Sequence, residues 1–294
     1  MRRFYDKNSS SMKENYLTTE SFERFLQDSV FAKEGSADPL PLSRWEFFDP
    51  YGLIFLLLLA RHRQSNNANA AFHFGAANPA LPYLSQVGFF EQLRRVPAQT
   101  DAGAISQPAP SSDVLLKITP IEQRQDIYEA LKHLMNSTAV ILRDHLSYTP
   151  QDISLFLGAF AEVAQNVLDH SGDKGFAAAQ VYTTKKGSRF AAIAVGDLGV
   201  GIRESLSQRY PKVKANDVIA IRKAFDPATS RFDHRGWGLT QVRSITEKYN
   251  GTLWVRSGRG MVKFHRLFSS YQTNFFPGTQ ISIYLESRPA KKIF

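Results

Sequence analysis

Three polar side chains in the second half of the chain stand at intervals of four: Glu162, Asn166 and His170, within EVAQNVLDHS. A step of four residues advances an α-helix by about 400°, so the three fall along one slowly drifting stripe. A carboxylate one turn from a carboxamide offers a base and a hard oxygen, donor types that suit Mg2+ and its water. Phe156, Phe160, Val163, Val167 and Leu168 supply the apolar side of the same helix. Further on, the apolar strand RFAAIAVGD opens into VGDLGVGI, which leaves Asp197 at a strand end, followed by Gly199, Gly201 and Ile202. An Asp in that position can accept a hydrogen bond from an exocyclic amine, and the glycines let backbone approach a ligand or take positive φ. In HRGWGLTQV, Gly236 and Gly238 open a helix, with Leu239 next; free N–H groups and the dipole at such an end attract anions. Finally, PGTQISIYL starts an alternating strand at Gly278 and Thr279. Taken singly these are a solvated helix face, a glycine-rich turn, a helix start and a strand start.

Their order is more specific than any one of them. E-x3-N-x3-H, then D-x-G-x-G-I, then G-x-G-L, then G-T before a strand resembles the GHKL ATP-binding family, which includes histidine kinases, anti-sigma kinases, MutL-type repair proteins, type II topoisomerases and the large heat-shock chaperone. The resemblance covers about residues 120–288. It implies an α+β two-layer sandwich binding ATP and Mg2+, with residues 162–170 as the N box, 197–202 and 236–239 as the G1 and G2 boxes, and 278–279 as the closing Gly-Thr. By that resemblance Asn166 would hold Mg2+ and Glu162 would be the general base or orient the attacking group, with His170 closing the N box. Asp197 would bind the adenine amino group, supported by Thr279. Gly199, Gly201 and Ile202 would shape the pocket and the lid hinge. Backbone around Gly236, Gly238 and Leu239 would meet phosphates. Residues 203–235 would be the ATP lid, with Arg203, Lys223, Arg231 and Arg235 as candidates for a phosphate contact.

The elements that must position these residues can be read from the pattern. Helices are expected at about 19–31, 51–62, 79–94, 121–146, 150–170 and 239–249, with Thr149 or Ser147 capping the fifth and Pro150 in its first turn. Strands are expected at 71–74, 114–118, 175–184, 189–197, 252–257, 261–268 and 279–286. Residues 97–113 carry three prolines among small polar residues and read as a linker or mobile loop. The expected organisation is a polar segment (1–40), a small α/β module (41–96), the linker (97–113) and the ATP-binding domain (114–290).

Charge is divided unevenly. Of 294 residues, 36 are Lys or Arg and 27 Asp or Glu, a net charge of +9. Residues 1–150 hold 15 basic and 16 acidic residues; residues 151–294 hold 21 and 11. The lid segment alone holds eight basic and four acidic residues, so part of the excess sits where polyphosphate is expected. The chain has no cysteine, which excludes disulfides, thiolate zinc sites and cysteine nucleophiles. The start, MRRFYDKNSSSMKENY, lacks the apolar run of a secretory signal. The apolar stretch from Gly52 to Ala60, at about 1.5 Å per residue, is too short for a hydrocarbon core of about 30 Å. A cytoplasmic protein with no membrane span is expected.

GWGLTQV looks more like the G-x-G-F-T of anti-sigma serine kinases than like the sensor-kinase box, and His234 departs from the latter. His145 and Pro150 repeat a phosphoacceptor spacing, but Pro150 opens the very helix that carries Glu162, so His145 reads as a polar residue at a helix end. WEFFDPYGLIFLLLLARH faintly resembles a STAS domain, with Asp49-Pro50-Tyr51-Gly52 where that fold carries its D-S-S-G and Tyr51 at the phosphorylated serine. The resemblance implies a Mg-ATP-dependent regulator, either a serine/threonine kinase or a nucleotide-gated partner switch, with a STAS or sigma-like protein as partner. The alternatives are a slow ATPase clamp that forms a homodimer with ATP, on nucleic acid or not, and a non-catalytic ATP sensor.

Overall fold

Two strands of the second half, GFAAAQVYTT and RFAAIAVGD, are apolar at nearly every position rather than at alternate ones. Such a run is stable only where both faces of the sheet are covered, and this is what the computed structural model contains. It describes residues 3–5, 15–28, 39–66, 70–96, 98–102, 114–184, 187–227, 229 and 238–287, with backbone alone at 3–5, 27–28, 137–138, 170–171 and 184.

The first part of the chain contributes β1 (Arg3–Tyr5), β2 (Tyr16–Leu17), α1 (Thr19–Asp28), β3 (Leu40–Pro41), β4 (Phe47–Phe48), α2 (Pro50–Ser65), β5 (Ala70–His73), α3 (Leu81–Gln86), α4 (Phe89–Leu93) and β6 (Ala98–Thr100). The second contributes β7 (Val114–Ile121), α5 (Arg124–His133), α6 (Ala139–Leu146), α7 (Pro150–Asn166), β8 (Gly175–Thr184), β9 (Arg189–Asp197), α8 (Gly201–Ser207), α9 (Asp217–Ala224), α10 (Gly238–Lys248), β10 (Thr252–His265) and β11 (Leu267–Glu286). The main sheet runs β1-β8-β9-β11-β10, and β7 also pairs with β8; all its pairings are antiparallel except β1 with β8. Parallel pairs make up the two small sheets, β2-β4 and β3-β5-β6.

Alternation along β8 and β9 sends side chains to two cores. Ala177, Ala179, Val181, Ala191, Ile193 and Val195 meet Phe156, Phe160 and Val163 of α7 and Val242 and Ile245 of α10. Phe176, Ala178 and Ala194 meet α2 on the opposite face. Helix α2 is apolar all round, as a helix enclosed on every side must be, and Leu53 through Ala60 are all buried. It is capped by Asp49, whose Oδ1 accepts from Gly52 N at 2.7 Å, with Pro50 in the first turn. Its approach to the sheet needs small residues: a Cβ on Gly196 would lie 2.8 Å from Leu58 Cδ1 and 3.1 Å from Ile54 Cγ2.

Polar groups tie the first part of the chain to this face. Asp49 also accepts from Thr19 N at 2.8 Å and from the Tyr284 hydroxyl. Glu23 of α1 pairs with Arg256 of β10 at 3.0 Å and accepts from the Tyr51 hydroxyl at 2.7 Å. Both Arg256 and Tyr51 are almost fully buried.

Several element boundaries differ from expectation. The expected helix 79–94 is two, α3 and α4, because Gly88 takes φ 81° between them. The helix expected from 121 starts at Arg124, since β7 runs on to Ile121, and it is interrupted by a π-helical turn at Leu134–Thr138. The three strands expected after residue 252 are two long ones joined at Arg266, with no break at 258–260 or 269–278. The described residues of the segment expected to be the lid include most of α8, a 3-10 turn at Pro211–Ala215 and α9. Within the expected linker, Ala98–Thr100 pairs with β5, and Asp101 accepts from Phe74 N at 2.7 Å; residues 103–113 lie outside the described residues.

Candidate functional site

The N-terminal end of α7 sets the register of the site. Thr149 and Asp152 form a reciprocal capping box, Thr149 N donating to Asp152 Oδ2 at 2.9 Å and Asp152 N to Thr149 Oγ1 at 3.3 Å. The other Asp152 oxygen accepts from the Tyr249 hydroxyl and pairs with Lys248 at 3.5 Å, which pins the C-terminal end of α10 to the start of α7. Ten residues up α7 from Asp152 is Glu162, and eleven residues back from Tyr249 is Gly238; at 1.5 Å per residue both spans are about 15 Å. The antiparallel pair therefore brings Glu162 level with the first turn of α10. A Cβ on Gly238 would lie 2.8 Å from Glu162 Oε2 and 3.9 Å from Asn166 Nδ2. Glu162 and Asn166 are half-buried, and neither hydrogen-bonds another side chain among the described residues. Leu239 is buried in the core beneath, which fixes that first turn.

The stripe of three ends differently from its sequence expectation. Regular α-helix stops at Asn166, and Val167–Ser171 form a π-helical turn closed by Gly172 at φ 70°. The wider turn moves position 170 off the four-residue stripe; the His170 side chain lies outside the described residues, as do Gly236, Arg231, His234 and Arg235 entirely.

From Asn166 the chain leads directly to Asp197. Val167 packs against Gly175, and Gly175 is the strand partner of Asp197. Asp197 is buried; its Oδ1 accepts from Gly199 N at 2.8 Å and from Thr279 N at 3.3 Å, while Oδ2 has no hydrogen-bond partner among the described residues. Burial pushes its pKa up to about 7, against the opposing pull of the Gly199 and Thr279 amides; Asp173 raises it further and Arg61 lowers it. Gly278 takes φ 77°, and a Cβ there would collide with the Asp197 carbonyl oxygen. Gly201 takes φ 75°, with Ser257 Oγ 2.8 Å from where its Cβ would stand.

Residues that sequence reasoning did not single out complete the frame. Ser257 Oγ accepts from Ile202 N at 2.9 Å and donates to Gly278 O at 2.9 Å, joining the glycine-rich turn to the Gly-Thr strand start. Gln280 Nε2 donates to the carbonyls of Asp197 and Pro277, each at 2.9 Å. Arg61 and Asp173 are ion-paired at 3.0 Å beside this turn. None belongs to a short motif; the only local signals are a Ser in an apolar strand and a Gln after the Gly-Thr.

Of the basic residues expected near phosphate, Arg203 is paired with Asp217 at 3.1 Å and Lys223 with Asp226 at 3.0 Å. Asp217 also accepts from Arg259 N at 2.9 Å, docking α9 on the β10–β11 hairpin. His145 lies in the last turn of α6, its carbonyl accepting from Arg189 at 3.4 Å. Among the described residues no group of three or more acidic or histidine side chains could by itself hold a metal ion, and no helix is long and apolar enough to cross a membrane.

A carboxylate and a carboxamide thus face a glycine-opened helix start and are joined through one strand pair to a buried Asp on a glycine-rich turn. Residues 151–288 match the histidine kinase-, DNA gyrase B- and HSP90-like ATPase family. Among solved structures, a mycobacterial sensor histidine kinase, MprB, aligns at 22% identity and a TM-score of 0.27, over 58% of this chain and 99% of that one. No curated protein matches the chain.

Proposed function

We propose that the chain binds Mg-ATP at this site and acts as a nucleotide-dependent regulator of a partner protein, transferring the γ-phosphate to a Ser or Thr of that partner or exchanging partners with nucleotide state. The observation that carries the reading is the approach of Gly238 to Glu162 and Asn166, two half-buried polar side chains without side-chain partners among the described residues. The donor set fits the expected groups. The Asn166 amide oxygen is a hard donor of the kind Mg2+ takes alongside phosphate oxygens, and the free oxygen of Asp197 is an acceptor for an exocyclic amine. Bound Mg2+ would neutralise charge on the phosphate oxygens. Glu162 would take the proton of the attacking hydroxyl, and the first-turn N–H groups of α10 would face the phosphates.

A partner in trans is favoured by Tyr51. The position where a STAS domain carries its acceptor serine is here buried, with its hydroxyl given to Glu23. On this reading the N-terminal elements dock or regulate rather than accept phosphate.

Incubation with γ-labelled ATP and candidate STAS-type proteins tests the proposal by following the label. Label on a partner Ser or Thr is expected, abolished by Glu162→Ala while ATP binding persists. Release to water with an ATP-dependent dimer would favour the clamp reading. Absence of label together with nucleotide-independent partner binding would remove the regulator reading.

A further inference from the structure

The turn that leads from the Asn166 helix into β8 is held from outside the ATPase segment. Arg61, in the last turns of α2, donates from Nη2 to Asp173 Oδ1 at 3.0 Å and Oδ2 at 3.2 Å, and from Nη1 to the Lys174 carbonyl at 2.8 Å. Its guanidinium also stands 5.9 Å from the centre of the Phe176 ring. Lys174 immediately precedes Gly175, whose strand partner is Asp197. Three more contacts carry α2 to the same place. Ile54 and Leu58 lie against Gly196, the residue before Asp197. Phe55 stacks on Phe276 at 4.2 Å, two residues before Gly278. His62 meets the same Phe276 ring at 5.5 Å. The backbone around the buried carboxylate is thus bounded on one side by a helix from the first 66 residues.

We propose that Arg61 is a positioning residue of the base pocket: by clamping the Asp173–Lys174 turn it sets the placement of Asp197, so that affinity for an adenine nucleotide depends on the N-terminal helix as well as on the ATPase segment. The inference rests on the reading of this site as an adenine-nucleotide pocket. Arg61 and Asp173 are both partly exposed, at 22% and 30% of their side-chain surface. A pair of that exposure contributes little to stability, so its removal leaves the fold intact and reports on position and charge. Among the described residues, the charged side chains that bear on Asp197 are these two, and they act in opposite directions, Asp173 raising its pKa and Arg61 lowering it.

Calorimetric titration of the full chain with ATP and with ITP, from pH 5.5 to 8.5, tests the clamp. ITP carries an oxo group where ATP has the amine. Arg61→Ala is expected to weaken ATP binding by about fivefold or more, to lower the ATP-to-ITP preference, and to move the pH midpoint of ATP binding upward. Asp173→Asn is expected to move that midpoint downward. Arg61→Lys, which can keep the ion pair but not the fork onto Lys174, is expected to fall between. Opposite shifts from the two partners of one ion pair are not produced by general loosening. Thermal melts identify any variant that fails to fold; if Arg61→Ala does, Asp173→Asn and Arg61→Lys still read the midpoint and the preference. Affinity, preference and midpoint equal to the unmodified chain in all folded variants would overturn the clamp and leave the nucleotide site standing. No binding of either nucleotide by the unmodified chain would overturn both.

Discussion

Asp197 holds one carboxylate oxygen against two backbone amides while burial works against its charge. A free carboxyl ionises near pH 3.9; here it does so at about 7. Between those values the native state binds a proton that the unfolded chain does not, so the contribution of this residue to stability is best below about pH 4 and declines as pH rises to about 7. Asp197→Asn keeps an oxygen for the Gly199 and Thr279 amides and removes the charge. It is expected to raise the melting temperature at pH 8 and to remove that part of the pH dependence. The same change puts an amide donor where adenine needs an acceptor, so ATP binding should be lost as stability rises. A variant that is more stable and still binds ATP would show that the carboxylate does not read the base. For the unmodified chain, an amine hydrogen bond to the carboxylate favours the ionised form. Titration at pH 6.5 in buffers of different ionisation enthalpy should therefore show proton release on nucleotide binding. Glu162, Asn166, Asp197 and Thr279 could be singled out as candidates from the sequence because each sits in a short motif. Ser257 reaches Ile202 across 55 residues and Gln280 reaches Asp197 across 83, and such contacts leave no spacing to read.

At the scale of elements, two glycines do different work. Gly278 is held at φ 77° with the Asp197 carbonyl where a side chain would stand, so Gly278→Ala faces both a left-handed backbone and a backbone collision. It should cost about 2 kcal/mol or more of stability, visible as an earlier denaturation midpoint. Gly238 stands against the end of a flexible side chain instead. Gly238→Ala should fold normally and displace the Glu162 carboxylate, lowering turnover more than ATP affinity. Equal losses in stability for the two variants would mean that the helix start is not pressed on the carboxylate. The existence of most long helices and strands followed from apolar period and caps, Thr149 and Pro150 being the clearest case. Their interruptions did not: the positive φ at Gly88 and the π-helical turns after His133 and Asn166 carry no signal in the apolar period.

Across the whole molecule, the decisive feature is that the central strands β8 and β9 are covered on both faces. The apolar run of α2 announced a buried helix, but nothing in its composition said that it would lie on the ATPase sheet; that depends on Ala178, Ala194 and Gly196 leaving room and on polar ties from distant residues. One of those ties is the buried ion pair of Glu23 with Arg256, whose side chains are 8% and 1% exposed. Removing one member of such a pair leaves a buried charge without its counterion, which costs about 3–5 kcal/mol, whereas replacing both by apolar groups of similar volume is often neutral. Glu23→Ala is therefore expected to destabilise the chain strongly, and Glu23→Leu with Arg256→Met to recover most of the loss. Arg256 also stands 5.3 Å from the Phe55 ring and 5.6 Å from the Phe276 ring, which an apolar side chain can replace by direct packing. By the same reasoning residues 114–294 alone would expose Phe176, Ala178, Ala194, Trp254, Phe276 and Tyr284 to water, with Arg256 stripped of its counterion. That fragment is expected to aggregate or to lack a cooperative melt, although it contains every motif of the proposed nucleotide site. A soluble fragment with a sharp transition and unaltered nucleotide affinity would separate the two parts of the chain, and would make the contacts of α2 with the sheet incidental to both folding and binding.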